Sequence, residues 1–477
     1  MAKKITIVQV NDTHSYLETH NEFFYTDRSI TIEKAGGYAK IQTLLKEFRN
    51  EGPVVALDNG DTIHGTYEAV TTKGWNMIPI LNDMGFSAMT FHWDTAYGPE
   101  NLKAINQALN YPVLAGNVYD EETDKLVFDP YRIIEVDGIT IGIIGIACNI
   151  VDKTMPARFS KGIYFTLGNQ ELPTYVDELR RKGVDTIILL SHLGFPQDVK
   201  LISEVEGIDI CLSGHTHNRI AKKVQIGQTT IIQSGAQGSF IGKLTLSYED
   251  STIKKVDHQL IPITEAILDD SSMKEKIEEA ISPFRQKLAV KVGETKTILH
   301  RGFNLETPMD NFLLEAMLHH TKTDVAFSNG WRYGAPIVEG DITLKELYQI
   351  IPMNPPISRV ELTGAEIWEM LEENLENTYA NDPYSQMGGY VKRALGLHCY
   401  FKVENPKGLR IQKLFIGHHE INLQETYTAS YVTNQGVPKK YGKNHRDLDI
   451  KAVQAMQDYL LDSGVYNQSL NGTFRLV

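Results

Sequence analysis

Residues 184–192 read VDTIILLSH and residues 208–215 read IDICLSGH. Each is a nearly unbroken apolar run that stops at a serine and a histidine. Runs of this length and composition fit strands buried on both faces better than one-sided helices. Working outward, ITIVQV (5–10) and PVVALDNG (53–60) have the same form, and helical patterns such as YAKIQTLLKEF (38–48) lie between the runs. The alternation predicts an α/β layer architecture from residue 5 to about 265, closed by a hairpin read from FIGKLTLSYED and IKKVDHQLIPI. Open α/β sheets place ligands beyond the carboxyl ends of their strands, so the polar residues ending these four runs are expected to converge.

The whole chain has 477 residues, enough for two or three domains. A charged stretch, SSMKEKIEEAISPFRQKLAV (271–290), reads as a connecting helix, and the texture after it mixes helices with short strands. The expected organisation is a catalytic domain over 1–268, a connector over 269–290 and a substrate domain over 291–477. Thr363, with Glu366 three positions on, predicts a capping box at a helix start.

Composition is that of an ordinary folded protein, with 42% hydrophobic and 22% charged residues. Lys+Arg 47 against Asp+Glu 60 leaves a net charge of −13, which argues against nucleic acid polymers and anionic membranes as partners. A small anionic substrate stays compatible, because bound cations reverse the local charge. Cys148, Cys211 and Cys399 form no CxxC pair, so reduced, buried thiols are expected. MAKKITIVQVND has too short an apolar core for a signal peptide and no run approaches a membrane span, which predicts a cytoplasmic protein.

Asp12 and His14 form an Asp-x-His pair at the end of the first strand, where alternate residues face one way. Asp61 follows the second apolar run, His192 ends the third, and His215 and His217 follow the fourth as GHTH. A lone strand-end histidine is usually an ordinary hydrogen-bonded residue. Carboxylates and imidazoles gathered at several strand ends point instead to metal binding, with zinc, manganese or iron favoured over calcium.

The ordered motifs NDTH, GD, SHLG and GHTH resemble the calcineurin-type metallophosphoesterase domain. The chain as a whole is similar to the 5'-nucleotidase family, through ETPMDNFLLEAML, SNGWRYGAPIVEGDITLKELYQIIP and VELTGAEIWEML. The resemblance implies a four-layer α/β/β/α catalytic domain and a second, smaller α+β substrate-binding domain. It also implies two divalent metal ions, Mn2+ or Zn2+ with Fe as a further candidate. One ion would be held by Asp12, His14, Asp61 and His217, and the other by Asp61, His192, His215 and a ligand from a fourth motif.

In that fourth motif the sequence departs from the family's Gly-Asn-His-Asp/Glu. Phe91, His92, Trp93 and Asp94 stand there, so His92 replaces the asparagine ligand and Trp93 the histidine that assists catalysis, while Asp94 would orient a neighbouring ligand or water. A register slipped by one would make His92 the catalytic histidine and leave Phe91 at the ligand position. A His-Trp pair is similar to the thiosulfohydrolase branch of the superfamily, whose substrate is borne on a sulfur-carrier protein.

For the substrate, Asn329 and Arg332 in SNGWRYG match the family's Asn-Gly-Gly-x-Arg segment, Tyr390 is the candidate stacking ring, and Arg393 a further anion ligand. Tyr441 is a candidate second ring, since VTNQGVPKKYGKNHRD (432–447) lacks the family's Gly-Gly-Asp-Gly motif. Three readings follow. The first is hydrolysis of a nucleotide or other phosphate ester, with Asp61, His92 and Asp94 at the reacting centre. The second is cleavage of an S-sulfonate at the same two metals. The third is a binding homologue whose catalysis is impaired by loss of the histidine.

Overall fold

The computed structural model describes residues 3–477 and divides into two compact units, one of residues up to Lys153 with Ala157–Pro283, the other of Thr154–Pro156 with Phe284–Val477. The helix Ser271–Leu288 carries Pro283 in its interior, and the division falls at that proline.

The first unit is built on two sheets. One runs in the order Thr252–Pro262, Phe240–Glu249, Lys3–Val10, Val54–Asp58, Phe86–Met89; the last three strands are parallel neighbours and the hairpin adds two antiparallel strands at the edge. The other runs Val224–Ile226, Thr229–Ile232, Ile210–Ser213, Thr186–Ser191, Ile139–Ile146, Tyr131–Val136, with its four central strands parallel. Ile5, Ile7, Val55 and Leu57 of the first sheet share one core with Ile141, Ile188, Leu190 and Ile210 of the second. The alternate residues Val8, Val10, Ile187 and Leu189 are equally buried on the opposite faces. There the amphipathic helices Tyr38–Glu51 and Phe195–Glu204 cover the two sheets. This is why the strands read as unbroken apolar runs: each is covered on both sides.

The second unit has a sheet in the order Arg393–Leu395, Val325–Ser328, Thr426–Val432, Pro356–Thr363, Lys443–Lys451, with helices Pro308–Thr321, Gly364–Tyr379 and Ala452–Ser463. The capping box at Thr363 and Glu366 is present, and a second forms at Thr343 and Glu346. The three cysteines are free and buried. Among the described residues no helix is long and apolar enough to cross a membrane.

Candidate metal centre

Five strands of the first unit end at one place. Asp12 and His14 follow Lys3–Val10, Asp61 follows Val54–Asp58, His92 follows Phe86–Met89, His192 follows Thr186–Ser191, and His215 and His217 follow Ile210–Ser213. Asp61, His92, His192 and His215 each bring a ligand atom within 4.8 Å of the others, and Asp12, His14 and His217 do the same beside them. The two groups meet at His192, whose Nε2 lies 3.3 Å from Asp61 Oδ2 and 3.5 Å from Asp12 Oδ1, and at His14, whose Nε2 is 3.9 Å from Asp61 Oδ2. His14 Nε2 and His217 Nε2 face each other at 3.2 Å.

The backbone is strained to achieve this. Asp12, His14, Asp61, His215 and His217 have φ of 51°, 49°, 54°, 72° and 57°. A left-handed residue other than glycine costs on the order of 1 kcal/mol or more, and such conformations persist where the surroundings over-determine them. Here they do. Asp12 N–H donates to the Gly60 carbonyl at 3.0 Å and His14 N–H to that of Asp61 at 2.7 Å. Gly60 itself sits at φ +88°, where a Cβ would come 2.5 Å from the Thr90 carbonyl oxygen.

Asp94 is the anchor of this turn. Its carboxylate accepts the backbone N–H of Asp61, Thr62 and Ile63 at 2.9 Å each and that of His92 at 3.2 Å. It therefore fixes two candidate ligands through their backbones. His92 Nδ1 is 3.1 Å from Asp61 Oδ2, whereas the Phe91 ring packs against Phe128 and Phe165. Trp93 donates its backbone N–H to Asp61 Oδ1 at 2.6 Å, and its ring stacks on His64 with centroids 5.0 Å apart.

The donor set fits a metal. The Nε2 atoms of His92 and His192 are buried and make no hydrogen bond, an arrangement that costs free energy unless something accepts their lone pairs. Nδ1–H of His192 donates to the Asn59 carbonyl at 2.5 Å, which leaves Nε2 as the lone-pair nitrogen, the usual device for a metal-binding imidazole. Ligands about 2.1 Å from one ion sit ~3.4 Å apart when tetrahedral, close to the separations here. Electrostatics agree: burial pushes the Asp61 carboxyl up, but the His92, His192 and His14 imidazoles outweigh it and hold it well below the usual carboxylate range. Burial lowers His192, yet Asp12 and Asp61 raise it to about 9. The two carboxylates call for positive charge, and without a metal the imidazoles supply it.

In the second unit Asn329, Arg332 and Tyr390 come together. The Arg332 guanidinium lies 4.8 Å over the Tyr390 ring and donates to the Gly389 carbonyl at 3.1 Å, and the Tyr390 N–H donates to the Gly330 carbonyl at 3.2 Å. A Cβ on Gly389 would lie 3.9 Å from the Asn329 amide. Arg393 is placed differently. It is 1% exposed, with Nε on Asp310 at 2.9 Å and its terminal nitrogens on the Asn304 and Phe303 carbonyls at 2.7 and 2.9 Å. Its donors brace the unit's interior, and its guanidinium carbon lies 5.7 Å from the centre of the Tyr390 ring. Tyr441 is 4% exposed within the core, its hydroxyl on Glu373 at 2.6 Å, so its ring is not offered for stacking.

Residues 5–219 match the family model of the calcineurin-like phosphoesterases, and residues 290–437 that of the 5'-nucleotidase C-terminal domain. The chain thus carries a calcineurin-like phosphoesterase domain followed by a 5'-nucleotidase C-terminal domain. Among curated relatives, the trifunctional nucleotide phosphoesterase protein YfkN of Bacillus subtilis is 24% identical over 89% of this chain, which spans only 31% of that protein. The 5'-nucleotidase of Bos taurus is 25% identical over 86% of this chain and 78% of its own length. Among solved structures, the sulfate thiohydrolase SoxB of Thermus thermophilus matches with a TM-score of 0.91 at 22% identity, covering 99% of this chain and 96% of that one. A 5'-nucleotidase precursor from the same organism matches at 0.87 and 23%, covering 100% and 99%. At these identities the likeness to the solved structures is one of fold.

Sequence reasoning passed over Gln9, Asn59 and His64. Gln9 and Asn59 stitch the two sheets together at the metal end: Gln9 Nε2 donates to Asn59 Oδ1 at 2.9 Å and to the Ser213 carbonyl at 2.8 Å, and Asn59 Nδ2 to the carbonyls of Ser191 and Leu212 at 3.0 and 2.6 Å. The signal for Gln9 was available, as the one amide in the apolar strand ITIVQV.

Proposed function

We propose that the chain is a metal-dependent hydrolase of phosphate esters whose substrate is a nucleotide or a similar small anion. The observation that carries the reading is the cluster of seven carboxylate and imidazole side chains with buried, unpartnered nitrogens on His92 and His192. Asp12, His14, Asp61 and His217 would hold one divalent ion and Asp61, His92, His192 and His215 a second, with manganese, zinc or iron suited to this mixed set. When bound, such ions supply Lewis acidity: they make water a nucleophile near neutral pH and offset the charge of a tetrahedral oxyanion.

The chain's own residues do the rest. Asn59 sets the His192 tautomer, and Asp94 holds the Asp61 turn and His92 in register. Arg332 and Asn329 present donors suited to phosphate oxygens, and Tyr390 a ring face suited to a base. Arg393 serves as a positioning residue behind them. Metal content and phosphate release measured on one purified sample test this reading. About two transition-metal ions per chain are expected, with hydrolysis falling ~10³-fold or more in Asp61→Asn because the shared ligand is lost. A metal-replete chain that turns over no ester would sink it.

A second reading is favoured by Trp93, which carries no transferable proton and lies beside His92: cleavage of an S-sulfonate, borne on a thiol or on a sulfur-carrier protein, at the same metals. Sulfate release from an S-sulfonated thiol without phosphatase turnover would establish it over the first.

A further inference from the structure

An aromatic wall with one exposed cation stands beside the metal cluster, and the roles given above leave it unused. Trp93 is 9% exposed; its ring stacks on His64 at 28° and meets Phe159 edge-on with centroids 5.6 Å apart. The Arg158 guanidinium lies 5.0 Å over the Phe159 ring, on an exposed side chain. The wall is joined to the cluster by its backbone, through Trp93 N–H on Asp61 Oδ1 at 2.6 Å and the His64 carbonyl 3.3 Å from His14 Nδ1.

This wall offers charge but no acid. An indole N–H only donates a hydrogen bond and a guanidinium keeps its proton. Neighbouring groups of the same unit are either bonded elsewhere or, like His64, closed off from the wall's open face. Asp94 accepts four backbone N–H groups, and the Tyr97 hydroxyl donates to the Ile63 carbonyl at 3.1 Å. His64 is fully buried with the indole over its face.

We propose that Trp93, Phe159 and Arg158 form the leaving-group subsite, and that it selects substrates whose leaving group departs as a stable anion, an anhydride-linked phosphate or a thiolate, over alkyl phosphate esters. The inference rests on the hydrolase reading above. In the step, a water oxygen bonds to the central phosphorus or sulfur as the bond to the leaving atom breaks, and that bond's electron pair goes to the leaving atom. One water proton passes to solvent and the other stays with the product oxyanion. An alkoxide must gain a proton as it leaves, and nothing on this wall provides one. A phosphate or thiolate retains the pair as a stable anion, with Arg158 beside it.

The test uses the manganese-loaded full chain and a series of substrates: a nucleoside 5'-monophosphate, phenyl phosphate, 4-nitrophenyl phosphate, a nucleoside diphosphate and S-sulfocysteine. kcat/KM should fall about 10²-fold or more from 4-nitrophenyl phosphate to the monophosphate, the range that a missing general acid leaves. Trp93→His should shrink that ratio about tenfold or more, by supplying an acid. Arg158→Met should lower the ratio of diphosphate to phenyl phosphate turnover about fivefold, as expected for a partly exposed charge contact. A shallow dependence on leaving group in the wild-type chain overturns the proposal whether or not the variants fold, and so does an unchanged diphosphate ratio in Arg158→Met. No turnover of any member, with manganese bound, overturns the hydrolase reading itself.

Discussion

The two units hold their candidate functional residues by opposite means. In the first, seven candidate ligands hang from the ends of five strands in two sheets, five of them in left-handed backbone, and buried amides tie the sheets together beneath them. In the second, Asn329, Arg332 and Tyr390 sit half-exposed on two loops, and the rigid part lies behind them: Asp310 receives Arg301 Nε and Arg393 Nε at 2.9 Å each, all three side chains almost wholly buried. A metal centre tolerates little error in ligand placement, so strain is fixed into the backbone itself. In the second unit the candidate residues are themselves half-exposed, and the rigidity lies in the frame behind them.

The largest expected effect attacks that frame. Asp310→Ala leaves two buried guanidinium groups without their carboxylate, and removing one partner of a buried ion pair costs about 3–5 kcal/mol. Thermal unfolding of the second unit should move down by many degrees while the metal content of the first is unchanged. A drop in bound metal of the same size would show that the two units are not held independently.

The matching experiment on the first unit is smaller. Asn59→Ala removes the amide that reaches both sheets but keeps the backbone carbonyl that orients His192. Loss of a group that bonds a ligand directly weakens metal affinity about 10–100-fold, and an amide that acts only through the frame beneath the ligands should give about tenfold or less. Competition with a chelator should show this with little change in overall secondary structure. Unaltered affinity would mean that the strained turns alone fix the ligands.

The same contrast explains what could be read from sequence. The convergence of His92, Asp61 and His215 was legible because parallel strands buried on both faces stop abruptly, and polar residues at their carboxyl ends have one place to go. The capping box at Thr363 was legible because its partners are three residues apart. Arg393 and Tyr441 were misleading for the converse reason. An arginine or tyrosine looks the same in a sequence whether it faces a ligand or, as here, Asp310 or Glu373, and those partners lie 83 and 68 residues away. Asn59 was missed because its partners are main-chain carbonyls more than a hundred residues distant, Ser191 and Leu212, which no side-chain pattern records.

The smallest effect concerns Asp198, behind the His192 strand end. It is buried, its Oδ1 accepts the Ser191 hydroxyl at 2.5 Å, and burial raises its carboxyl from 3.8 to about 7. A carboxyl raised in this way favours the fold only while neutral. Its contribution is complete below the unfolded value and is lost as pH rises through the folded one. Asp198→Asn keeps the neutral form at every pH. The variant should therefore match the wild type near pH 4 and gain stability progressively to about pH 7, levelling off above it at a few kcal/mol at most, given ~1.4 kcal/mol per pKa unit. Chelator-treated protein, melted across that range, gives the comparison free of bound metal. A variant less stable at pH 8 than at pH 4, relative to wild type, would mean that Asp198 is ionised in the fold. The charge balance at the metal end would then include a further carboxylate beside those of Asp12, Asp61 and Asp94, and the first unit would depend on bound cations for its stability as well as for its chemistry.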